Sequence, residues 1–422
     1  MKFTTSAVIA FATLVLGAPT RIFQEVEDGD DNIPGVLSLD MTKFETPPES
    51  EALRASMLAQ IQGNENYSGP LAADLMNQVT HYSVNIGIGS GNKKYPLLID
   101  TGSSDFWVSN VTSVVEVPYD YFGDRSKTVS SKPFHIDYVK GSMDGFWAKN
   151  SMFLGRQIDN IDYAIVTHGQ DAPKIRQSSG ILGTSYSYKG AKNLPERLAS
   201  DGVINKNAYS LSLVDYNGAN GNILFGGVDH SKYTGQLYTL PRADIPDYKV
   251  KTLSVKLSSI TIDGITTNFD NGGIVTPLDT GTSVSYLPPN IYNQLAQAFG
   301  VSSFYSSIYG APSFDVSRYG NKEVTFDFNG AKIKVKGSDL AISFRDLTGV
   351  DRGNIKIFGL FSNENSKGIS ILGDTFLRSA YIVYDLDGDT ISLAQANKTP
   401  GRPMIEPIVD AVPRAIKLTK SI

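Results

Sequence analysis

The sequence contains no cysteine and only four histidines among 422 residues. The lack of cysteine excludes disulfide bonds, thiolate metal ligands and a cysteine nucleophile. A serine–histidine–aspartate triad is not excluded by these counts, although the chain has no G-x-S-x-G nucleophile motif. The histidines are too far apart for a zinc-binding pattern, so no metal site is predicted. They are His81, His135, His168 and His230.

Strong positive charge is also lacking. The formal net charge is −5 and the sequence pI is about 5.5. No basic patch is interleaved with aromatic residues, so nucleic acid is not an expected partner. The stretch after Lys398 has no long hydrophobic end of the kind that a lipid-anchor signal needs, and no membrane anchor is expected.

The N-terminal residues have the pattern of a secretory signal peptide. Met1-Lys2 precedes an apolar stretch at 7–16 and the small residues Gly17-Ala18, a run too short for a membrane span. A buried N-terminal helix is the alternative, and the pattern favours secretion to an extracellular location. The next stretch is acidic and interrupted by proline, with a possible helix over 49–63. We interpret residues 19–68 as a removable propeptide, with a flexible acidic linker as the alternative.

The rest of the chain is typical of a mainly β protein. Segments such as 81–89, 323–335 and 381–395 alternate apolar and polar residues, and the last two contain the hairpin signals N-G and D-G. Helices are predicted only in a few places, such as 194–202 and 289–300, which begin near proline and end at glycine.

An Asp-Thr-Gly motif occurs twice. Asp100-Thr101-Gly102-Ser103-Ser104 is matched by Asp279-Thr280-Gly281-Thr282-Ser283, each after an apolar lead-in. One copy alone would be typical of an ordinary turn. However, the segments "GILGTS" at 180–185 and "ISILGDT" at 369–375 follow the two copies in the same order and at similar distances. This repeat predicts two related lobes that each contribute one carboxylate.

Two carboxylates brought together predict an acid–base reaction. Unit charges about 3 Å apart repel by about 5 kcal/mol at an effective dielectric near 20, so such a pair shares one proton. The ionised member can take a proton from water, and the protonated member can donate to a carbonyl oxygen. Glycoside hydrolases also use two carboxylates, but in unlike environments. The near-identical motifs here favour the shared proton.

The residues around each aspartate fit the same role. Gly102 and Gly281 allow backbone N–H groups to approach the carboxylates. Ser103 and Thr282 are expected to donate hydrogen bonds to the outer carboxylate oxygens. Thr101 and Thr280 are expected to form hydrogen bonds between the two motifs beneath the pair.

The ordered motifs resemble those of pepsin-family aspartic proteases, most closely the secreted yeast and fungal candidapepsin-like enzymes. The similarity runs from about residue 78 to 397 and includes "LLIDTGSSDFWV", "IDYVKGSMDG", "SSGILGT", "PLDTGTSVSYLP" and "ISILGDTFLRSAYIVYDLDGDTISLAQ". It implies a bilobal pepsin-like fold, two related β lobes with an active-site cleft between them. The predicted divisions are therefore a signal peptide at 1–18, the propeptide at 19–68, an N-terminal lobe at 69–243 with the flap, a C-terminal lobe at 244–398 and a tail at 399–422.

The resemblance further implies an endopeptidase that works at acid pH without a cofactor. Its substrates are proteins or peptides, statine-type inhibitors are expected to bind, and the protein is expected to be a monomer. Asp100 and Asp279 are the implied catalytic pair. The implied substrate-binding residues belong to the flap, a hairpin that closes over substrate, or line the S1 pocket: Tyr138, Lys140, Gly141, Ser142, Leu98, Trp107 and Ile181.

This sequence departs from the family pattern at several points. The usual cysteines are missing, Val139 replaces a common flap glycine, and Pro277 stands just before the second motif. Lys140 reverses an acidic charge found in several fungal relatives, which is expected to favour large apolar P1 residues over basic ones; a solvated turn residue without effect on specificity is the alternative. No Lys-Arg pair occurs, so the precursor is expected to process itself when acidified. A catalytically silent binding or inhibitor protein is the alternative, although both motifs are whole. Glycosylation sequons stand at Asn66, Asn110 and Asn397.

Overall fold

The structure is a computed structural model. It describes residues 33–45, 80–89, 94–111, 127–138, 141–154, 156–170, 178–187, 192–213, 220–348 and 350–418. The predicted signal peptide and the helix predicted over 49–63 lie outside these ranges, as do Asn66, Val139 and Lys140.

Strands dominate the described residues, and the prediction of a mainly β protein is confirmed. The first part of the chain contains β1 (Leu37–Glu45), β2 (Thr80–Ile88), β3 (Lys94–Asp100), β4 (Phe106–Ser109), β5 (Thr128–Asp137), β6 (Ser142–Phe153), β7 (Gln157–Gln170), β8 (Gly180–Gly183), β9 (Ala208–Ser212), β10 (Asn220–Phe225), β11 (Gly227–Asp229) and β12 (Tyr233–Pro241). The second part contains β13 (Ser254–Leu257), β14 (Ser259–Ile262), β15 (Ile265–Asn268), β16 (Ile274–Pro277), β17 (Ser285–Leu287), β18 (Ser313–Asp315), β19 (Glu323–Phe328), β20 (Ala331–Lys336), β21 (Ala341–Ile342), β22 (Ile355–Phe358), β23 (Leu360–Ser362), β24 (Ala380–Asp385), β25 (Thr390–Ala396), β26 (Ile405–Pro407) and β27 (Ile416–Lys417).

Helices are short. They are α1 (Leu194–Ser200), α2 (Pro289–Ala298), α3 (Ser303–Tyr309), α4 (Val316–Tyr319), α5 (Phe344–Thr348) and α6 (Asp374–Leu377), with 3-10 turns at Asp270–Gly272 and Asn363–Ser366. The two helix predictions are confirmed by α1 and α2. Helix α1 begins where the Asn193 side chain accepts a hydrogen bond from the Glu196 backbone N–H, as an N-cap does. No helix in the described ranges is long and apolar enough to span a membrane.

The largest sheet connects the two parts of the chain. Its fourteen strands run in the order β27-β12-β25-β24-β9-β10-β1-β2-β3-β8-β4-β7-β6-β5. The β24–β9 pair joins the predicted C-terminal lobe to the predicted N-terminal lobe. Beside it, the C-terminal part has a four-stranded sheet, β15-β14-β19-β20, which includes the predicted N-G hairpin at Asn329-Gly330. The predicted D-G hairpin is the β24–β25 pair.

One strand comes from the segment interpreted as a propeptide. Strand β1 lies between β10 and β2 and pairs antiparallel with both. Its Met41 side chain is fully buried in the core. This strand was not predicted from the sequence, because β1 pairs with β10 across nearly the whole predicted N-terminal lobe and its own alternation of apolar and polar residues is short.

The C-terminal segment predicted as a tail is docked on the fold. Strand β26 pairs with β11, and β27 pairs with β12. Ile408 and Val412 are buried against Val228 and Leu237. The residues from 399 to 418 therefore cover part of the core.

Candidate active site

The first Asp-Thr-Gly motif stands where β3 ends. Leu97 and Ile99 on this strand point into the core, and Asp100 follows with only 6% of its surface exposed. Strand β8, from the downstream "GILG" segment, runs parallel to β3 and sets Gly183 opposite Asp100. The Thr184 backbone N–H donates to the Asp100 carbonyl oxygen at 2.9 Å, which fixes the end of the strand.

The second motif is built in the same way. Leu278 bridges in parallel to Leu372 of the second downstream segment, and the Asp279 N–H donates to the Leu372 carbonyl oxygen at 3.0 Å. Each "ILG" segment thus lies beside its own Asp-Thr-Gly motif. This arrangement explains why the two motifs recur as an ordered pair in the sequence.

The two motifs are locked together by their threonines. The Thr101 hydroxyl donates to the Leu278 carbonyl oxygen at 2.7 Å, and the Thr280 hydroxyl donates to the Ile99 carbonyl oxygen at 2.7 Å. Each hydroxyl also accepts the backbone N–H of the other threonine, at 3.0 and 3.1 Å. Both threonines are buried. The four bonds make the cross-connection that the sequence led us to expect, and they hold the two carboxylates in one geometry.

The carboxylates have matching hydrogen bonds. The Gly102 N–H donates to Asp100 Oδ1 at 2.8 Å, and the Ser103 hydroxyl donates to Oδ2 at 2.5 Å. In the other motif, the Gly281 N–H donates to Asp279 Oδ1 at 2.9 Å and the Thr282 hydroxyl to Oδ2 at 2.6 Å. Donation from N–H and O–H groups orients each carboxylate toward the other.

The glycines are required by the closeness of the opposite carboxylate. A Cβ atom on Gly102 would lie 2.6 Å from Asp279 Oδ1, and one on Gly281 would lie 2.5 Å from Asp100 Oδ1. Neither glycine has a left-handed φ angle, so the constraint is space and not backbone conformation. The glycine of each motif therefore leaves space for the carboxylate of the other motif.

The pair is electrostatically uneven. Burial and, after it, repulsion by the Asp279 charge raise the pKa of Asp100 to about 7, against the lowering effect of the Ser103 and Gly102 hydrogen bonds. Asp279 is more exposed than Asp100. The raised pKa favours the protonated form of the Asp100 carboxyl at acid pH.

The predicted flap residues lie next to this pair. Strands β5 and β6 form a hairpin closed by a hydrogen bond from the Tyr138 N–H to the Gly141 carbonyl oxygen at 3.0 Å. The Tyr138 hydroxyl accepts the Trp107 indole N–H at 2.7 Å. Burial, followed by the charge of Asp100, raises the pKa of Tyr138, so its hydroxyl stays neutral. Ser142 begins β6, and Lys140 lies outside the described residues.

An apolar cluster connects the flap to the first aspartate. The predicted pocket residues Leu98, Trp107 and Ile181 are all in it, with Tyr138 partly buried against them. Phe134 and Met143 from the inner face of the hairpin are also members, and they were not predicted from the sequence. The alternation of apolar residues along 134–138 is the signal that could have shown them.

A buried carboxyl group that interacts with Asp279 was not predicted from the sequence. Asp374, at the start of α6 in the second downstream segment, is 1% exposed. Burial raises its pKa well above the usual range, and the Asp279 charge adds to this, while Arg378 opposes it. No cluster of metal-ligating side chains occurs in the ranges that the structure describes.

Two of the three sequons can be located. Asn110 and Asn397 are both partly buried, and the Asn397 amide donates to the Ser231 carbonyl oxygen at 2.9 Å. Their glycosylation stays a prediction.

Comparison with known proteins gives consistent similarities. The family model described as eukaryotic aspartyl protease matches residues 81–396. Candidapepsin-4 of Candida albicans (strain WO-1) is 33% identical, with 93% of this chain and 96% of that protein covered. Candidapepsin of Candida tropicalis is also 33% identical, with 94% and 96% covered. The crystal structure of an aspartic proteinase from Irpex lacteus has a TM-score of 0.62 at 23% identity, over 76% of this chain and 96% of that one.

Proposed function

Because the chain belongs to the eukaryotic aspartyl protease family and is an aspartic endopeptidase with a bilobal β fold, we propose that Asp100 and Asp279 are its catalytic pair. The observation that carries this proposal is the cross-lobe geometry, in which each glycine leaves just enough space for the opposite carboxylate. Near-identical hydrogen bonds on the two aspartates suit a shared proton and do not suit the separate acid and base of a glycoside hydrolase.

The proposed reaction uses one water molecule and one proton on the pair. The ionised carboxylate accepts a proton from the water as its oxygen attacks the carbonyl carbon of the scissile peptide. The protonated carboxyl of Asp100 donates its proton to the carbonyl oxygen, which gives a neutral tetrahedral intermediate. The carboxyl group that took the water proton then passes it to the amide nitrogen as the carbon–nitrogen bond breaks. The ionised Asp100 takes the proton of one hydroxyl of the intermediate in the same step, which forms the product carboxylic acid and returns the pair to its starting state. The fixed Ser103 and Thr282 donors stabilise the carboxylates while their charge alternates.

The hairpin with Tyr138 is proposed to cover the substrate, and the apolar cluster of Leu98, Trp107 and Ile181 to bind its P1 side chain. Large apolar P1 residues are therefore favoured. Lys140 lies between Tyr138 and Gly141 in the sequence, and its charge is proposed to disfavour lysine and arginine at P1.

Secretion and maturation are also part of the proposal. Relatives are named secreted aspartic proteases, and the N-terminal signal pattern supports an extracellular location for this chain. Residues 19–68 are proposed to be removed by self-processing at acid pH, and statine-type inhibitors are proposed to bind the pair. The mature enzyme is proposed to act as a monomer.

The test is substitution of each aspartate by asparagine. We expect Asp100→Asn and Asp279→Asn to remain folded but to lose more than about 1000-fold in kcat/KM on a denatured protein substrate at acid pH, because each variant lacks either the acid or the base. Asp263→Asn, which removes a carboxylate from an exposed turn, is the matched control and should keep full activity. The purified Asp100→Asn precursor should also stay full-length when acidified. Activity within tenfold of wild type in either dyad variant would refute the assignment.

A further inference from the structure

The outer face of the flap hairpin carries charges. His135 on β5 stands opposite Asp144 on β6, and Asp137 follows two residues later on the same face. The apolar side chains of the hairpin, Phe134 and Met143, point the other way into the cluster beside the dyad. The hairpin thus has an apolar inner face and an ionisable outer face only three residues before Tyr138.

Both nitrogens of the His135 ring contact carboxylates. His135 Nδ1 lies 2.7 Å from Asp144 Oδ1, and Nε2 lies 3.2 Å from Asp137 Oδ1. A neutral imidazole has one N–H group and can donate to only one carboxylate, whereas the imidazolium has two. The geometry therefore fits the charged ring. Its contact with Asp144 joins the two strands of the hairpin, and its contact with Asp137 holds the residue next to Tyr138.

The neighbouring strand adds one further titratable group. Register places His168 of β7 opposite Asp144, on the far side from His135. Among the residues that the structure describes, Asp137, Asp144 and His168 are the ionisable groups that the strand register sets beside His135 on this face. The Asp144 hydrogen bond is the main cause that raises the pKa of His135 above its usual value.

We propose that His135 is a positioning residue for the flap, and that its protonated ring staples the hairpin so that Tyr138 is held above Asp100. This inference rests on the proposed role of the hairpin in covering the substrate. An ordinary aspartate is ionised above about pH 4 and an ordinary histidine is protonated below about pH 6.5. The staple therefore forms in the acid range in which the dyad holds one proton, and it weakens when His135 loses its charge.

Intrinsic fluorescence gives a readout that does not depend on activity. The chain has two tryptophans, and both report on the hairpin. Trp107 donates to the Tyr138 hydroxyl, and Trp147 packs edge-on against Phe134 with ring centres 5.3 Å apart. Replacing both Asp100 and Asp279 by asparagine removes self-digestion and also removes the two carboxyl groups whose titration would affect the fluorescence. In that background we expect a fluorescence transition above pH 6.5 that disappears in His135→Gln and persists in the control His168→Gln.

Kinetics in the active enzyme test the positioning role. We expect His135→Gln to raise KM for a peptide substrate about two- to fivefold at pH 5, the size of one exposed ion pair, with kcat changed less than twofold. The difference should vanish near pH 7.5, and Asp144→Asn should reproduce it. An unchanged KM at pH 5, an equal effect from His168→Gln, or a fluorescence transition that survives in His135→Gln would each overturn the proposal. An inactive wild type would instead contradict the proposed function, and the fluorescence result would still stand on its own.

Discussion

At the scale of single residues, the site depends on small groups as much as on the two aspartates. The hydrogen bonds of Asp100 and Asp279 are near copies, and the duplicated motif made these contacts predictable from the sequence. What could not be predicted is the deeper burial of Asp100, which raises its pKa, because burial depends on chain segments that are distant in sequence. Local motifs specify which donors a carboxylate has, and the tertiary fold specifies how much water it keeps.

Gly102 offers a direct test of the close approach of the two motifs. Gly102→Ala would place a methyl group within 2.6 Å of Asp279 Oδ1, and the carboxylate would have to move. We expect kcat/KM to fall at least about 100-fold, because displacements near 1 Å at reacting groups cost about that much. Gly401→Ala is the control, since a Cβ there meets no atom within 4 Å. Equal activity of the two alanine variants would show that the site tolerates the displacement.

At the scale of elements, local sequence signals predicted some of the hairpins and helices but not all of the strands. The two hairpins with N-G and D-G turns and the helices α1 and α2 were predictable, because turn and cap chemistry lies within a few residues of the element. Strands β1, β26 and β27 were not predicted. The strands that pair with them are far away along the chain, so the pairing is visible only in the folded sheets.

The docked C-terminal strands make a testable contribution to stability. Deleting residues 399–422 would remove the buried side chains of Ile408 and Val412 and uncover Val228 and Leu237. Two buried aliphatic side chains stabilise by about 3 kcal/mol or more, so we expect a clearly lower denaturation midpoint. Val409→Ser, which changes an exposed side chain of the same segment, is the control and should leave the midpoint unchanged. If the deletion variant unfolds at the same denaturant concentration as the full chain, the docked segment adds nothing to stability.

At the scale of the whole molecule, the raised pKa of Asp100 couples folding to pH. The folded protein keeps a proton on Asp100 up to about pH 7, whereas the unfolded chain releases it near 3.8. The folded state therefore binds more protons between these values, and the free energy of unfolding falls as pH rises from about 4 to about 7. A difference of about three between the two pKa values corresponds to about 4 kcal/mol.

Inactive variants allow this coupling to be measured without self-digestion. Asp279→Asn keeps Asp100 and its burial, which is the largest cause of the raised pKa, whereas Asp100→Asn/Asp279→Asn has neither carboxyl. We expect the single variant to lose about 2 kcal/mol more than the double variant between pH 4.5 and 7, by chemical unfolding at each pH. Parallel stability curves for the two variants would mean that Asp100 is not protonated in the fold.

Strand β1 has a mechanical consequence for the molecule. In the described part of the large sheet, β1 is the strand that connects β10 to β2. It belongs to the segment that maturation is proposed to remove. Cutting it out would divide one continuous sheet into two blocks, with rows of backbone N–H and C=O groups facing an empty slot. The precursor would then be the stiffer form of the protein. Any chain segment able to fill that slot would restore the stiffness, so the occupancy of this single position would set how freely the two halves of the enzyme move against each other.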